Sequence, residues 1–255
     1  MNSLREIRRV AKFVLAAAAA ALVVSLFMKD RLPGRSEILP ELLQDPVQAK
    51  ADLPDPFDVT RKGVAYSVTP VFSYELWGMI VSYHHASSFA DISHEAWNDY
   101  INVKDICVLW GKNLETAVYS RMKFKNRDFT CFYTYPDQET GRIFSENCLS
   151  NNHLLPADSI VARTIMGARK GDQVHVTGWL VNYGIKGSPD KRLTSTTRKD
   201  RGNGACETVF VAEFEILRAA NPAWRALYKL SLVLIVLSAA ALVTSFIGSP
   251  RRIGG

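Results

Sequence analysis

Nothing in the 255 residues matches GxSxG, HExxH, a phosphate-binding glycine loop or a dinucleotide fingerprint. Enzymes that depend on those residues at those spacings are excluded. Histidine is scarce, with five in the chain. His84 and His85 are adjacent, and neighbours on a strand point to opposite faces, so the two cannot easily share one ion. No His-x₃-His or CxxC accompanies them or His94, and neither metal nor cofactor is expected. Acidic residues are nearly absent outside residues 30–221, where Glu6 stands against nine Lys and Arg. Inside that range 22 basic residues meet 24 acidic ones. The pI near 9.1 is therefore a property of the chain ends, and nucleic-acid binding does not follow from it.

Two stretches lack charge altogether. Residues 13–28, FVLAAAAAALVVSLFM, follow Arg5, Arg8, Arg9 and Lys12 and precede no small-x-small cleavage site, the pattern of an uncleaved signal anchor. Residues 230–247, LSLVLIVLSAAALVTSFI, have Trp224 and Tyr228 at their entrance and Arg251 and Arg252 beyond their exit, as a transmembrane helix has. Two spans place both termini on one side. Basic residues near the spans number six on the terminal side and five on the loop side, so cysteine usage has to decide the orientation.

All four cysteines, Cys107, Cys131, Cys148 and Cys206, lie between the spans. An even number without CxxC spacing fits two disulfides in an oxidising compartment. Of the three pairings, proximity along the chain favours Cys107–Cys131 with Cys148–Cys206. The expected layout is cytoplasmic residues 1–12 and 248–255, spans 13–28 and 230–247, a proline-rich linker 29–70, an exported (periplasmic) domain 71–217 and a juxtamembrane segment 218–229, all in the inner (plasma) membrane. Six of eleven prolines fall in that linker, where Ile38, Leu39, Leu42 and Leu43 offer one amphipathic turn able to dock on the domain.

Within the domain, residues 151–183 read as a helix feeding a strand. Asn151 and Asn152 offer caps, Pro156 suits the first helical position, and Ala157, Ile160, Val161, Ile165 and Ala168 form an apolar stripe. Arg169, Lys170 and Gly171 suit its end. GDQVHVTGWLVNY follows, with Gly178 suited to a bulge. Further strands are expected at 72–85, with a bend at Gly78, at 105–111 and at 207–217. A helix is expected at 89–101, and a hairpin at 118–135 turning at Asn126 and Arg127. The fold class is mainly β with one or two helices, flanked by two transmembrane helices. The order of elements resembles an OB-type barrel, with another α+β sheet as the alternative.

Candidate chemistry is sparse. Cys206, in GNGACET, could act as a nucleophile with His153 or His175 as base and Asn152 or Asp172 orienting it. The competing reading makes Cys206 a disulfide cysteine, puts His153 in a helix-cap turn and faces His175 to solvent. Residues 184–205 form a basic loop with Lys186, Lys191, Arg192, Arg198, Lys199 and Arg201, which together with Trp179 is a candidate binding face for an anion or membrane surface. Trp77, Trp97, Trp110 and Trp179 are expected in the core. These readings favour a non-enzymatic interaction or assembly module of a cell-envelope complex, with the membrane and envelope proteins as partners. The alternatives are a membrane-tethered cysteine hydrolase or transpeptidase, and an anionic lipid- or glycan-binding module.

Overall fold

The computed structural model describes residues 2–86, 96–127, 129–197 and 206–247. It divides into two compact units, Met1–Arg31 with Asn221–Gly255, and Leu32–Ala220.

The first unit is a pair of helices, α1 (Asn2–Met28) and α5 (Pro222–Ile247). Both are long and apolar enough to cross a membrane. Their buried positions are Ala11, Ala18 and Ser25 on α1 and Ser231, Ser238 and Ser245 on α5, each set spaced by seven residues. Small side chains on such a seam let two backbones approach closely, the packing mode available where lipid supplies no hydrophobic drive between helices. Phe13, Phe27, Val236 and Phe246 point outward. Arg8 Nε donates to Ser245 Oγ at 3.2 Å, which pairs the start of α1 with the end of α5.

The second unit is built on a seven-stranded mixed sheet. Its strands are β1 (Val47–Ala49), β2 (Phe57–Arg61), β3 (Val64–His85), β4 (Lys104–Leu109), β7 (Leu149–Pro156), β8 (Gln173–Ile185) and β9 (Glu207–Arg218). Hydrogen bonding runs β3–β4–β7–β9–β8 and returns from β8 to β3, with β1 and β2 added on β3. Every pair is antiparallel except β7 with β9. The 22-residue β3 serves two neighbours, pairing β8 from Tyr66 to Met79 and β4 from Met79 to His85. Its registers shift between Pro70 and Phe72, where proline has no N–H to give the ladder, and between Ile80 and Ser82. No register shift falls at Gly78, which pairs with Val174. Glycine is needed there for close approach, since a Cβ would stand 2.2 Å from Val108 Cγ1.

Between β4 and β7 the chain forms α2 (Lys112–Glu115), the hairpin β5 (Lys123–Arg127) and β6 (Thr130–Thr134), and α3 (Gln138–Ile143). The hairpin turns two residues later than expected, because Asn126 and Arg127 pair with Cys131 and Thr130. Residues 118–121 form a 3₁₀ turn, not strand. Cys107 on β4 and Cys131 on β6 are joined by a disulfide.

Residues 32–70 are part of the fold, so the domain begins at Leu32 and the linker expected at 29–70 is corrected. Pro40 opens a 3₁₀ turn, Pro40–Leu43, that inserts Leu42 into the core. Leu42 O accepts from Gly111 N at 2.8 Å, and Pro33 O accepts from Tyr119 Oη at 2.9 Å. The helix expected at 89–101 lies mostly outside the described residues, as does His94.

The other correction bears on the site. Residues 149–156 are β7, so Asn151, Asn152 and His153 are strand residues and Pro156 ends the strand. The helix, α4, is Ser159–Gly167, capped by Asp158, whose carboxylate accepts from Ile160 N and Val161 N. Its far end is held from inside the domain. Lys104 is fully buried, and its Nζ donates to Ile165 O at 3.1 Å and Ala168 O at 2.6 Å while lying 4.2 Å from the Tyr83 ring centre. Burial, with the Arg169 charge nearby, pulls its pKa from 10.5 down to about 7. A neutral amine still has a hydrogen for each carbonyl. Between pH 7 and 10.5 the unfolded chain holds a proton that the folded chain lacks, so this group makes stability rise with pH. Urea unfolding in detergent should show wild type gaining roughly 1–3 kcal/mol on Lys104→Met between neutral and alkaline pH. A gap that does not change with pH would refute the assignment.

Candidate active site

Three strands bring the polar residues of this site together. Asp105 on β4 stands opposite His153 on β7, which stands in register with Thr208 on β9. Asp105 and His153 are both fully buried. Their contact is 2.6 Å, from His153 Nδ1 to Asp105 Oδ1, and the same oxygen accepts from Asn102 Nδ2 at 2.7 Å. Cys206 stands at the entrance to β9, two residues before Thr208, where its thiol neighbours the His153 ring. Its Sγ also lies 3.5 Å from Phe129 O and 3.5 Å from Asn151 Nδ2. Asn151 is held in turn, accepting from Asn126 Nδ2 at 2.7 Å and donating to Phe129 O at 3.0 Å.

Phe129 adopts φ 60, a conformation that costs an aromatic residue on the order of 1–3 kcal/mol. It brings the carbonyl to Cys206 and the ring beside two partners. The His153 ring lies edge-on at 5.8 Å, and the Arg192 guanidinium carbon is 4.0 Å from the ring centre. Arg192 Nη2 also stands 3.0 Å from His153 Nε2.

No protein-family model, curated protein or solved structure matches this chain.

The electrostatics therefore have to speak for the site. Burial alone would lower the His153 pKa. The Asp105 carboxylate more than offsets it, and with the Cys206 contact the ring is pushed up to about 9. A guanidinium has no lone pair, so the Arg192 contact requires an unprotonated Nε2, with the ring proton on Nδ1 facing Asp105. Protonation of Nε2 and that contact are mutually exclusive. The Arg192 charge opposes the rise in the ring's pKa and favours the neutral form.

Of the residues singled out from sequence, Cys206, His153 and Arg192 meet here, and His153 is a buried strand residue, not part of a cap turn. His175 is elsewhere. Its Nε2 pairs with Glu75 Oε1 at 2.8 Å, and its ring stacks on Trp77 at 4.5 Å. Asn152 donates to Ser150, and Asp172 accepts from Arg169 N and Ala220 N, so neither orients the base. The Cys148–Cys206 disulfide is not formed. Both thiols are free, because Cys148 lies beside Gly111 while Cys206 is held among Asn151, Phe129 and His153. In the basic loop Lys191 is exposed and Lys186 pairs with Asp58, while Arg198, Lys199 and Arg201 lie outside the described residues. Trp179 packs near Phe210 and Trp110 is buried, whereas Trp97, expected in the core, is 72% exposed. Among the described residues no group of His, Cys, Asp and Glu is arranged to hold a metal. Asp105 escaped the sequence reading. Its signal was an acid inside the apolar run DICVLW, which folds as a wholly buried strand.

Proposed function

We propose that the chain is a membrane-tethered thiol enzyme of the acyl-transfer class, with Cys206 as nucleophile, His153 as base and Asp105 as the group that orients and charges the base. The observation that carries this reading is the fully buried 2.6 Å Asp105–His153 pair, with His153 on the strand beside the one that Cys206 leads into. A proton moves from Cys206 Sγ to His153 Nε2, and the thiolate attacks the substrate carbonyl carbon. The leaving group departs with that proton, and water or an amine then releases the acyl group from sulfur. Asn151 Nδ2, 3.5 Å from Cys206 Sγ, is the donor assigned to the developing oxyanion.

Two further parts belong to the same proposal. The ring of pairings is OB-like, a reading supported by its strand order, the parallel β7–β9 pair and the helix between β7 and β8. The Leu32–Ala220 unit faces the extracytoplasmic side, which the Cys107–Cys131 disulfide favours.

Cys148 supplies an internal control. In the full chain in detergent, iodoacetamide should alkylate Cys206 about tenfold faster than Cys148, as peptide mass spectrometry would read it, and His153→Gln should remove the difference. Cys206→Ser should leave the melting temperature unchanged, since it breaks no disulfide. A Cys206 slower than Cys148 would end the thiol reading and return the domain to a binding role in envelope assembly.

A further inference from the structure

We propose that Arg192 is the receptor for an anionic group of the substrate, so that an acyl donor carrying a carboxylate draws the guanidinium off His153 Nε2 and thereby arms the base. This deepens the thiol reading and rests on it. The contact that Arg192 makes with His153 uses one donor of a guanidinium that has five in a planar fork, a shape matched to a carboxylate. Among the described residues no carboxylate forms an ion pair with Arg192. Exchanging one bond to a neutral imidazole for two charge-assisted bonds to a carboxylate favours the substrate-bound arrangement.

The backbone around Arg192 is anchored, so the side chain is the moving part. Arg192 N donates to Tyr183 O at 2.7 Å, and Tyr183 N donates to Arg192 O at 3.0 Å. The Phe129 ring offers the guanidinium a face along which to slide without leaving an aromatic surface. With Arg192 withdrawn, Nε2 is open to take the proton of the neighbouring Cys206 thiol. The proton then passes from sulfur to Nε2 and no other bond changes until the acyl group arrives. A second observation comes from the strand that Cys206 leads into. Thr208, fully buried and in register with His153, has a hydroxyl with no partner among the described residues. A buried hydroxyl left unpaired is costly, and a bound carboxylate or carbonyl would satisfy it.

The test compares two reagents that differ in charge, iodoacetate and iodoacetamide, on the full chain in detergent, with alkylation read separately at Cys206 and Cys148. The iodoacetate-to-iodoacetamide rate ratio at Cys206 should exceed that at Cys148 by about tenfold. It should fall to the Cys148 value in Arg192→Gln and be partly kept in Arg192→Lys, which retains charge without the fork. Excess acetate should accelerate iodoacetamide at Cys206 in wild type, by pulling Arg192 from the base, and have no such effect in Arg192→Gln. Arg192→Lys also guards against a glutamine variant that fails to fold. Equal ratios at the two cysteines, with acetate inert, would overturn the role of Arg192 while leaving a fast Cys206 intact. A Cys206 slow toward both reagents would remove the thiol reading and this inference with it.

Discussion

Asp105→Ala should cost the Leu32–Ala220 unit about 3–5 kcal/mol, enough to bring an ordinary domain to the edge of unfolding. The carboxylate is fully buried, and its Oδ1 accepts from both His153 Nδ1 and Asn102 Nδ2. Alanine removes the shared acceptor and strands two donors in a buried interior. Asp105→Asn separates charge from shape. An amide oxygen in the Oδ1 position can still accept twice, so the fold should survive with a loss of about 1–2 kcal/mol. The charge that raises the His153 pKa is gone, however, and the base weakens. Cys206 alkylation at neutral pH should then fall about tenfold or more, because the base that takes its proton is weaker. Urea unfolding followed by tryptophan fluorescence and peptide-resolved alkylation give the two readouts. An alanine variant within about 1 kcal/mol of wild type would show that the pair is not the polar anchor described here.

How much of this was legible in the chain depends on whether a signal is local. The apolar runs of α1 and α5, the Cys107–Cys131 pairing and the strands β4, β8 and β9 each follow from residues close together, and each is present. Residues 149–156 were misread because Asn151, Asn152 and Pro156 carry helix-start chemistry that neighbouring strands outcompete. Asn126 takes up Asn151, Ser150 takes up Asn152 and Asp105 takes up His153. Asn126 and Asp105 stand 25 and 48 residues from their partners, beyond any local window, while Ser150 shares β7 with Asn152. The proline-rich segment was misread for a similar reason. Its composition suits a linker, yet Leu42 and Ile38 find a core whose other residues arrive much later. Cys206 and His153 were visible as candidates, but their placement on neighbouring strands, with Cys206 free of Cys148, depends on the β7–β9 register, which is a tertiary fact.

Gly178→Ala should be the most damaging added methyl among the described glycines, costing about 3 kcal/mol or more. The position sits at a bulge, where β8 pairs Thr177 with Glu213 and Gly178 with Val211, passing over Ala212. A Cβ there would stand 2.1 Å from Phe210 O, 3.0 Å from Phe210 C and 3.1 Å from Ala212 N. All three atoms are backbone, so no side chain can turn aside, and relief comes only by separating β8 from β9. That separation travels toward the site, because Phe210 is two residues from Thr208 on the strand that Cys206 leads into. Cys206 reactivity should therefore fall together with stability. Gly167→Ala gives the opposite sign as a control. It ends α4, no heavy atom lies within 4 Å of its would-be Cβ, and alanine there should stabilise by about 0.5–1 kcal/mol through the unfolded chain. Denaturation midpoints of the two variants beside wild type decide the matter. A Gly178→Ala midpoint close to that of Gly167→Ala would mean that the bulge yields, and that β9 does not depend on it to hold Cys206 against His153.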